Sequence, residues 1–128
     1  MTYMLDVNAL VSLGFMNHEF HGRVASWIQS GNSLQPASCS ITELGFLRVL
    51  GRTPSYGFTV AQARTLLLRL KQGHLTFIPD GHDVSHLPAW VKAPKQITDG
   101  HLSKLAASNG AVPATLDERI PGSYLIPK

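Results

Sequence analysis

The stretch YMLDVNAL, residues 3 to 10, joins a short apolar run, one acid and the start of a helical pattern. We interpret its first part as a buried strand that ends at Asp6, and residues 7–13 as the apolar helical turn that follows. In an open α/β sheet, ligands bind in the crevice at the carboxyl ends of the strands. The stretch therefore predicts an α/β fold and places Asp6 at the edge where a functional site forms.

Similar units of strand and helix continue along the chain. Apolar residues recur three and four positions apart in the helical stretches, and glycine or proline marks most boundaries. The predicted strands are residues 3–5, 34–39, 75–78 and 114–116, and the predicted helices are residues 20–28, 40–51, 59–72 and 98–109. This alternation predicts one α/β domain over residues 1–128. Its central parallel sheet would have about four to five strands, with helices on both faces.

Three details of this prediction concern boundaries. Pro36 lacks an amide donor, so it favours the start of a strand or an edge strand. Ser40 and Glu43 have the spacing of a capping box, which would account for an acid there without any chemistry. After Asp117, the turn-forming residues predict a loop-like tail that runs to Lys128.

The composition excludes several classes of protein. With 128 residues, 44% of them hydrophobic, the chain can build a core without disulfides or structural metals. The single cysteine, Cys39, excludes an internal disulfide and a cysteine-based zinc cluster, so a cytoplasmic location is expected. The first residues lack the pattern of a signal peptide, and no apolar stretch approaches the roughly 18–20 residues that cross a bilayer. We therefore expect no association with a membrane.

Acidic residues are few and unevenly placed. The chain has eight Asp and Glu against eleven Lys and Arg. Four of the acids, Asp6, Glu43, Asp99 and Asp117, each follow an apolar run or begin a helical pattern. Carboxylates gathered at one sheet edge repel one another unless a cation lies between them, and Mg²⁺ or Mn²⁺ prefers such oxygen ligands. The four acids predict a metal-dependent hydrolase, and the surplus of basic residues suits a polyanionic substrate.

The segments around these acids resemble those of a known family. They are similar to the four signature segments of PIN-domain nucleases and, within that superfamily, most similar to the VapC-type ribonuclease toxins of bacterial toxin–antitoxin pairs. The resemblance covers essentially the whole chain, with the segments in the expected order. The four segments are DVNAL (residues 6–10), SITELGFLR (residues 40–48), TDGHL (residues 98–102) and TLD (residues 115–117).

The resemblance implies an activity and a set of roles. The four acids would hold one or two Mg²⁺ or Mn²⁺ ions, and a metal-activated water would attack an RNA phosphodiester in line. The residues beside the acids that would orient them are Asn8, Thr42 and Thr115. The residues that we expect to contact RNA are Arg48, Lys95, His101 and Arg119.

The resemblance also implies partners. A VapC-type toxin pairs with a VapB-type antitoxin, which lies over a groove of the toxin and can insert a basic side chain among the carboxylates. We expect the leucine-rich helix of residues 59–72 and the turn of residues 7–13 to contribute to that groove or to a homodimer. Such a partner would cover more apolar surface than one small domain can readily bury.

Other interpretations of the same residues stay open at this level. Each acid taken alone has an ordinary structural role, such as Asp99 in the first turn of a helix, where the helix dipole favours an acid. The strand-end Asp6 also resembles the nucleophile of haloacid-dehalogenase-like phosphatases, although their second acid is replaced here by Asn8. A catalytically silent module that binds RNA or a protein partner on the same fold is the remaining alternative.

Overall fold

Strands and helices alternate along most of the chain. The computed structural model describes residues 1–31, 33–73, 75–117 and 120–128. The strands in these ranges are β1 (Thr2–Leu5), β2 (Gln35–Cys39), β3 (Thr76–Ile78), β4 (Ala111–Thr115) and β5 (Tyr124–Leu125). The α-helices are α1 (Val7–Gly14), α2 (His21–Gln29), α3 (Ser40–Arg52), α4 (Val60–Gly73) and α5 (Ile97–Ser108). Short 3₁₀ turns lie at Pro54–Tyr56, Val84–His86 and Pro94–Gln96.

The described strands form one parallel sheet in the order β3-β2-β1-β4-β5. β1 lies in the middle, where Met4 pairs with Ala37 on one side and with Pro113 on the other. The chain first builds outward from β1 to β3, and it then crosses to the other side to add β4 and β5. Such a change of direction opens a crevice at the carboxyl ends of the strands. The predicted parallel sheet is confirmed.

Helices cover both faces of this sheet, as predicted. Side chains alternate along each strand, so Leu5 of β1 points to one face and Met4 points to the other. The face of Leu5 packs against α1, α2, α3 and α4, with the fully buried Phe46 of α3 among its largest side chains. The opposite face packs against α5 through Leu105. No helix in the described ranges is both long and apolar enough to span a bilayer.

The tail of the chain differs from its prediction. β5 pairs in parallel with β4, and Ile126 directly after it is fully buried. Arg23 of α2 fixes this segment, because its Nε donates a hydrogen bond to the carbonyl of Ile126 at 3.0 Å. The prediction of a loop-like tail was therefore wrong. A strand of two residues is too short to show a periodic pattern in the sequence.

Two predictions at β2 and α3 also need correction. Pro36 is the second residue of β2, which fits a strand start, but β2 lies inside the sheet and is not an edge strand. The residue that caps α3 is Cys39, not Ser40. The hydroxyl of Thr42 accepts a hydrogen bond from the amide of Cys39 and donates one to its carbonyl, both at 3.0 Å. Glu43 therefore takes no part in a capping box and is available for other contacts.

Candidate active site

Asp6 lies at the centre of the carboxyl edge, between the last residue of β1 and the first turn of α1. It caps α1, because the amide of Ala9 donates to its Oδ1 at 2.8 Å. Its Oδ2 accepts a hydrogen bond from the hydroxyl of Thr115 at 2.6 Å. Burial raises the pKa of Asp6; the two hydrogen bonds oppose this rise, and the negative charges of Asp99 and Asp117 add to it. Asp6 is thus both the structural cap that the sequence allowed and a member of an acidic cluster.

Asp99 and Asp117 lie at the same crevice, on the side formed by α5 and β4. Asp99 lies in the first turn of α5, and Asp117 follows the end of β4. Burial raises the pKa of Asp99, and the charge of Asp117 raises it further. The backbone amide of Asp117 donates to the hydroxyl of Thr115 at 2.9 Å. Thr115 therefore joins Asp6 to the segment that carries Asp117, which agrees with the orienting role that we predicted for it.

Glu43 has a different environment from the three aspartates. It lies in the first turn of α3, where the hydroxyl of Ser38 donates to its Oε2 at 2.6 Å. Lys71 in the last turn of α4 approaches both oxygens of its carboxylate, at 3.1 Å for Oε1 and 3.0 Å for Oε2. The sequence did not predict Lys71 as a site residue, because it stands 28 positions from Glu43 and only the packing of two helices joins them.

The arrangement has part of what a divalent cation requires. Mutual repulsion of Asp6, Asp99 and Asp117 makes the crevice favourable for a cation, and a ligand set made only of carboxylate oxygens fits Mg²⁺ or Mn²⁺ rather than zinc or copper. Within the described ranges, however, no three His, Cys, Asp or Glu side chains are arranged to hold a metal ion together. Binding an ion would therefore require the acidic side chains to move closer to a common point.

A cleft with a volume of about 640 Å³ opens beside this cluster. Its lining includes Asn8, Asp117, Phe20, Arg23 and Lys128. Its size is that of a site for a ligand of several rings. Two basic residues line the cleft beside the acids Glu19 and Asp117. The basic residues can contact a phosphate, and the exposed ring of Phe20 can stack on a nucleobase.

The other predicted residues are placed as follows. Asn8 is exposed in the first turn of α1. Arg48 on α3 and Lys95 in the turn Pro94–Gln96 are exposed, so their contact with RNA stays a prediction. Arg119 lies outside the described residues. Thr42 is fully buried and bonds to the backbone of Cys39, so it acts on the start of α3 rather than directly on an acid.

The position of His101 does not fit the contact with RNA that we predicted for it. Its side chain is buried, and its Nε2 lies 2.6 Å from Oδ2 of Asp80. The same hydrogen bond is the main cause of the lowered pKa of Asp80. His101 therefore ties α5 to the segment after β3 and does not present a free ring to a substrate. Its proximity in sequence to Asp99 suggested the site, but on a helix residues two apart point in different directions.

Comparison with known proteins agrees with the signature segments. The chain is 35% identical over 119 residues to Ribonuclease VapC38 of Mycobacterium tuberculosis, and this match covers 89% of the chain and 84% of that protein. The chain belongs to the VapC ribonuclease family. It is also 33% identical over 135 residues to Ribonuclease VapC39 of the same organism, covering 96% of the chain and 94% of that protein. No protein-family model matches the sequence, so the VapC assignment rests on these relatives.

A solved structure has the same fold as this VapC chain. It is the crystal structure of VapBC2 from Rickettsia felis bound to a DNA fragment from their promoter, with a TM-score of 0.61. The similarity covers 98% of this chain and 97% of that chain, at 14% sequence identity. At so low an identity, the match bears on the arrangement of the sheet and helices alone. The predicted PIN-like fold is confirmed.

Proposed function

We propose that this chain is a metal-dependent endoribonuclease, the toxin of a bacterial type II toxin–antitoxin module, which hydrolyses RNA phosphodiester bonds. The observation that carries the proposal is that Asp6, Asp99 and Asp117 lie near one another at the carboxyl edge of the sheet, where burial raises the pKa of Asp6 and Asp99 and neighbouring negative charge raises it further. A divalent cation would relieve that repulsion. The names of the VapC relatives support RNA as the substrate.

The four acids would hold the ion, and the hydrogen-bond donors around Asp6 would keep that carboxylate ionised and oriented. A bound Mg²⁺ or Mn²⁺ lowers the pKa of a water molecule and offsets charge on the scissile phosphate. Thr115 favours the ionised form of Asp6, because its hydroxyl donates to Oδ2 at 2.6 Å. The amide of Ala9 donates to the other oxygen. These two donors hold Asp6 in one orientation before any ion arrives.

RNA would enter along the cleft that Asp117 shares with Arg23 and Lys128. Positive charge there offsets the charge of the phosphates, and the exposed ring of Phe20 provides a face for a base. Arg23 is held by the carbonyl of Ile126, so its charge has a fixed position. Arg48 and Lys95 would add phosphate contacts from α3 and from the turn before α5.

Cleavage of RNA by the purified protein tests this proposal. We expect cleavage with Mg²⁺ or Mn²⁺, none with a chelator, and a loss in Asp99→Asn of at least about a hundredfold. Asp83→Asn is the matched control, because Asp83 is exposed and caps a 3₁₀ turn outside the four signature segments. Cleavage that survives both the chelator and Asp99→Asn would reject the metal-dependent mechanism.

One observation favours a second candidate, the catalytically silent binding module. Lys71 and Ser38 together engage both carboxylate oxygens of Glu43, and this leaves less capacity for a metal. A silent module would bind RNA or a protein partner and leave RNA intact at every metal concentration. The same assay separates the two candidates, because only the enzyme yields new RNA ends.

We also propose that a VapB-type antitoxin covers an apolar cleft between α1, α2 and α4. Leu13, Ile28, Leu70 and Leu75 line this cleft, and the structural neighbour is a VapBC complex. In co-expression with the adjacent reading frame, Leu70→Asn should weaken the complex while Leu68→Asn, exposed on the same helix, should not. Sedimentation would also test the expected homodimer. A monomer that ignores the co-expressed protein would reject both partners.

A further inference from the structure

Lys71 differs from the basic residues that lie on the surface of the molecule. Its ammonium group lies within 3.1 Å of both carboxylate oxygens of Glu43. The side chain of Lys71 is 30% exposed and that of Glu43 only 15%, so the pair is partly shielded from water. By contrast, Arg48 and Lys104 are exposed on their helices. The charge of Lys71 is thus held against the carboxylate of Glu43.

Three elements of the fold hold Lys71 in this place. α3 and α4 run in opposite directions. Glu43 at the start of α3 meets Lys71 at the end of α4, and Gly51 at the end of α3 lies near Val60 at the start of α4. The ammonium group also lies 4.7 Å from the centre of the ring of Phe77 on β3. An ion pair and a cation–π contact therefore fix the same charge.

This arrangement affects any cation that uses Glu43 as a ligand. Ser38 and Lys71 both bond to Oε2, and Lys71 also bonds to Oε1. A divalent ion would need the same oxygen atoms and would carry charge of the same sign as the ammonium group. The two cations repel each other with an energy that grows as their separation falls, most strongly where water is excluded. Lys71 and a divalent ion therefore cannot both occupy the carboxylate of Glu43.

We propose that Lys71 is a positioning residue that occupies Glu43 in the metal-free protein and competes with the divalent cation for its carboxylate. Lys71 thereby sets the metal concentration at which the site assembles. This inference rests on the proposed ribonuclease function.

The affinity for Mn²⁺ in the absence of RNA tests this competition. Titration calorimetry should show that Lys71→Met binds Mn²⁺ about tenfold more tightly than the wild type, a change of about 1.4 kcal/mol. Lys104→Met removes the same charge from an exposed position on α5 and should bind as the wild type does. Lys71→Arg keeps the charge and should also stay close to the wild type. Thermal unfolding of each variant verifies that the fold is intact.

A double-mutant cycle shows whether Lys71 acts through Glu43. In a Glu43→Gln background, Lys71→Met should produce no further gain in Mn²⁺ affinity, because the carboxylate in dispute is gone. A Lys71→Met protein that binds Mn²⁺ no more tightly than the wild type overturns the inference, as does a gain that persists without Glu43. If the wild type still binds Mn²⁺ and cleaves RNA, the function stands and only the role of Lys71 falls. A wild type that does neither overturns both.

Discussion

The two sides of the acidic crevice carry the same kind of group in opposite electrostatic states. On the aspartate side, formed by Asp6, Asp99 and Asp117, burial raises the pKa of Asp6 and Asp99, and the charge of neighbouring aspartates raises it further. On the glutamate side, Glu43 is paired with Lys71 and hydrogen-bonded by Ser38. The aspartates repel one another, whereas Glu43 is already paired with a basic residue of the same chain.

This difference bears on where a divalent cation would enter first. A cation would be drawn to the aspartate side, because Asp6 and Asp99 are partly withdrawn from water and lie beside further negative charge. Glu43 would join only after exchanging its lysine for the ion. The predictions that follow test whether the two sides are separate in this sense, beginning with the largest expected effect.

Neutralising one acid on each side should reduce cleavage equally but change stability in opposite directions. Asp6→Asn and Glu43→Gln should each lose at least about a hundredfold in RNA cleavage. At neutral pH and without metal, Asp6→Asn should unfold at a higher temperature, because it removes a buried, repelled charge and keeps a good helix cap. Glu43→Gln should lose up to about 1 kcal/mol, because it breaks a partly exposed ion pair. Two stability changes of the same sign, measured by thermal unfolding, would contradict the comparison.

The two buried threonines offer a matched pair of smaller changes. Thr115→Val and Thr42→Val each remove a hydroxyl whose partners are then left unsatisfied, at an expected cost of about 1–3 kcal/mol in the free energy of unfolding. Only Thr115 donates to an acid, so only Thr115→Val should reduce cleavage at saturating metal, by about 10- to 100-fold. Chemical denaturation and cleavage rates measure both effects. Equal cleavage losses would assign Thr42 the orienting role that the sequence suggested.

On the glutamate side, Ser38→Ala tests the second donor to Glu43. Removal of the hydroxyl that donates to Oε2 at 2.6 Å should loosen the carboxylate and reduce cleavage by about tenfold. Ser40→Ala is a suitable control, because Ser40 is exposed two residues further along the chain. If both substitutions reduce the rate alike, the effect comes from the start of α3 and not from Glu43.

The smallest expected effect is a dependence of metal-free stability on pH. Asp6 and Asp99 have pKa values raised above the ordinary 3.8, so the folded state binds their protons more tightly than the unfolded state does. Their contribution to stability is complete below 3.8 and is lost as pH rises through the raised pKa values. Each carboxyl can change the free energy of unfolding by at most about 1.4 kcal/mol per pH unit. The difference between wild type and Asp6→Asn isolates one of them, and a difference that is constant across acidic pH would refute the shift.

The sequence predicts the sheet and the aspartates well because their signals are local. Asp6, Asp99 and Asp117 each follow or begin an element whose periodicity is visible in a short window. Lys71 and His101 could not be assigned in this way. Lys71 meets Glu43 through helix packing, and His101 is held by its bond to Asp80, which stands 21 positions earlier. Pairings of this kind depend on tertiary geometry, which composition and spacing do not encode.

The central position of β1 has a consequence for how the protein is made. β1 must wait for β4 to be synthesised, because the hydrogen bond between Thr115 and Asp6 spans 109 positions. Contacts of such long range form late, after most of the chain is available. A chain that ends before β4 therefore lacks a strand that pairs with β1, the hydroxyl that donates to Asp6, and Asp117 at once. The acidic crevice would form only after these residues have been synthesised.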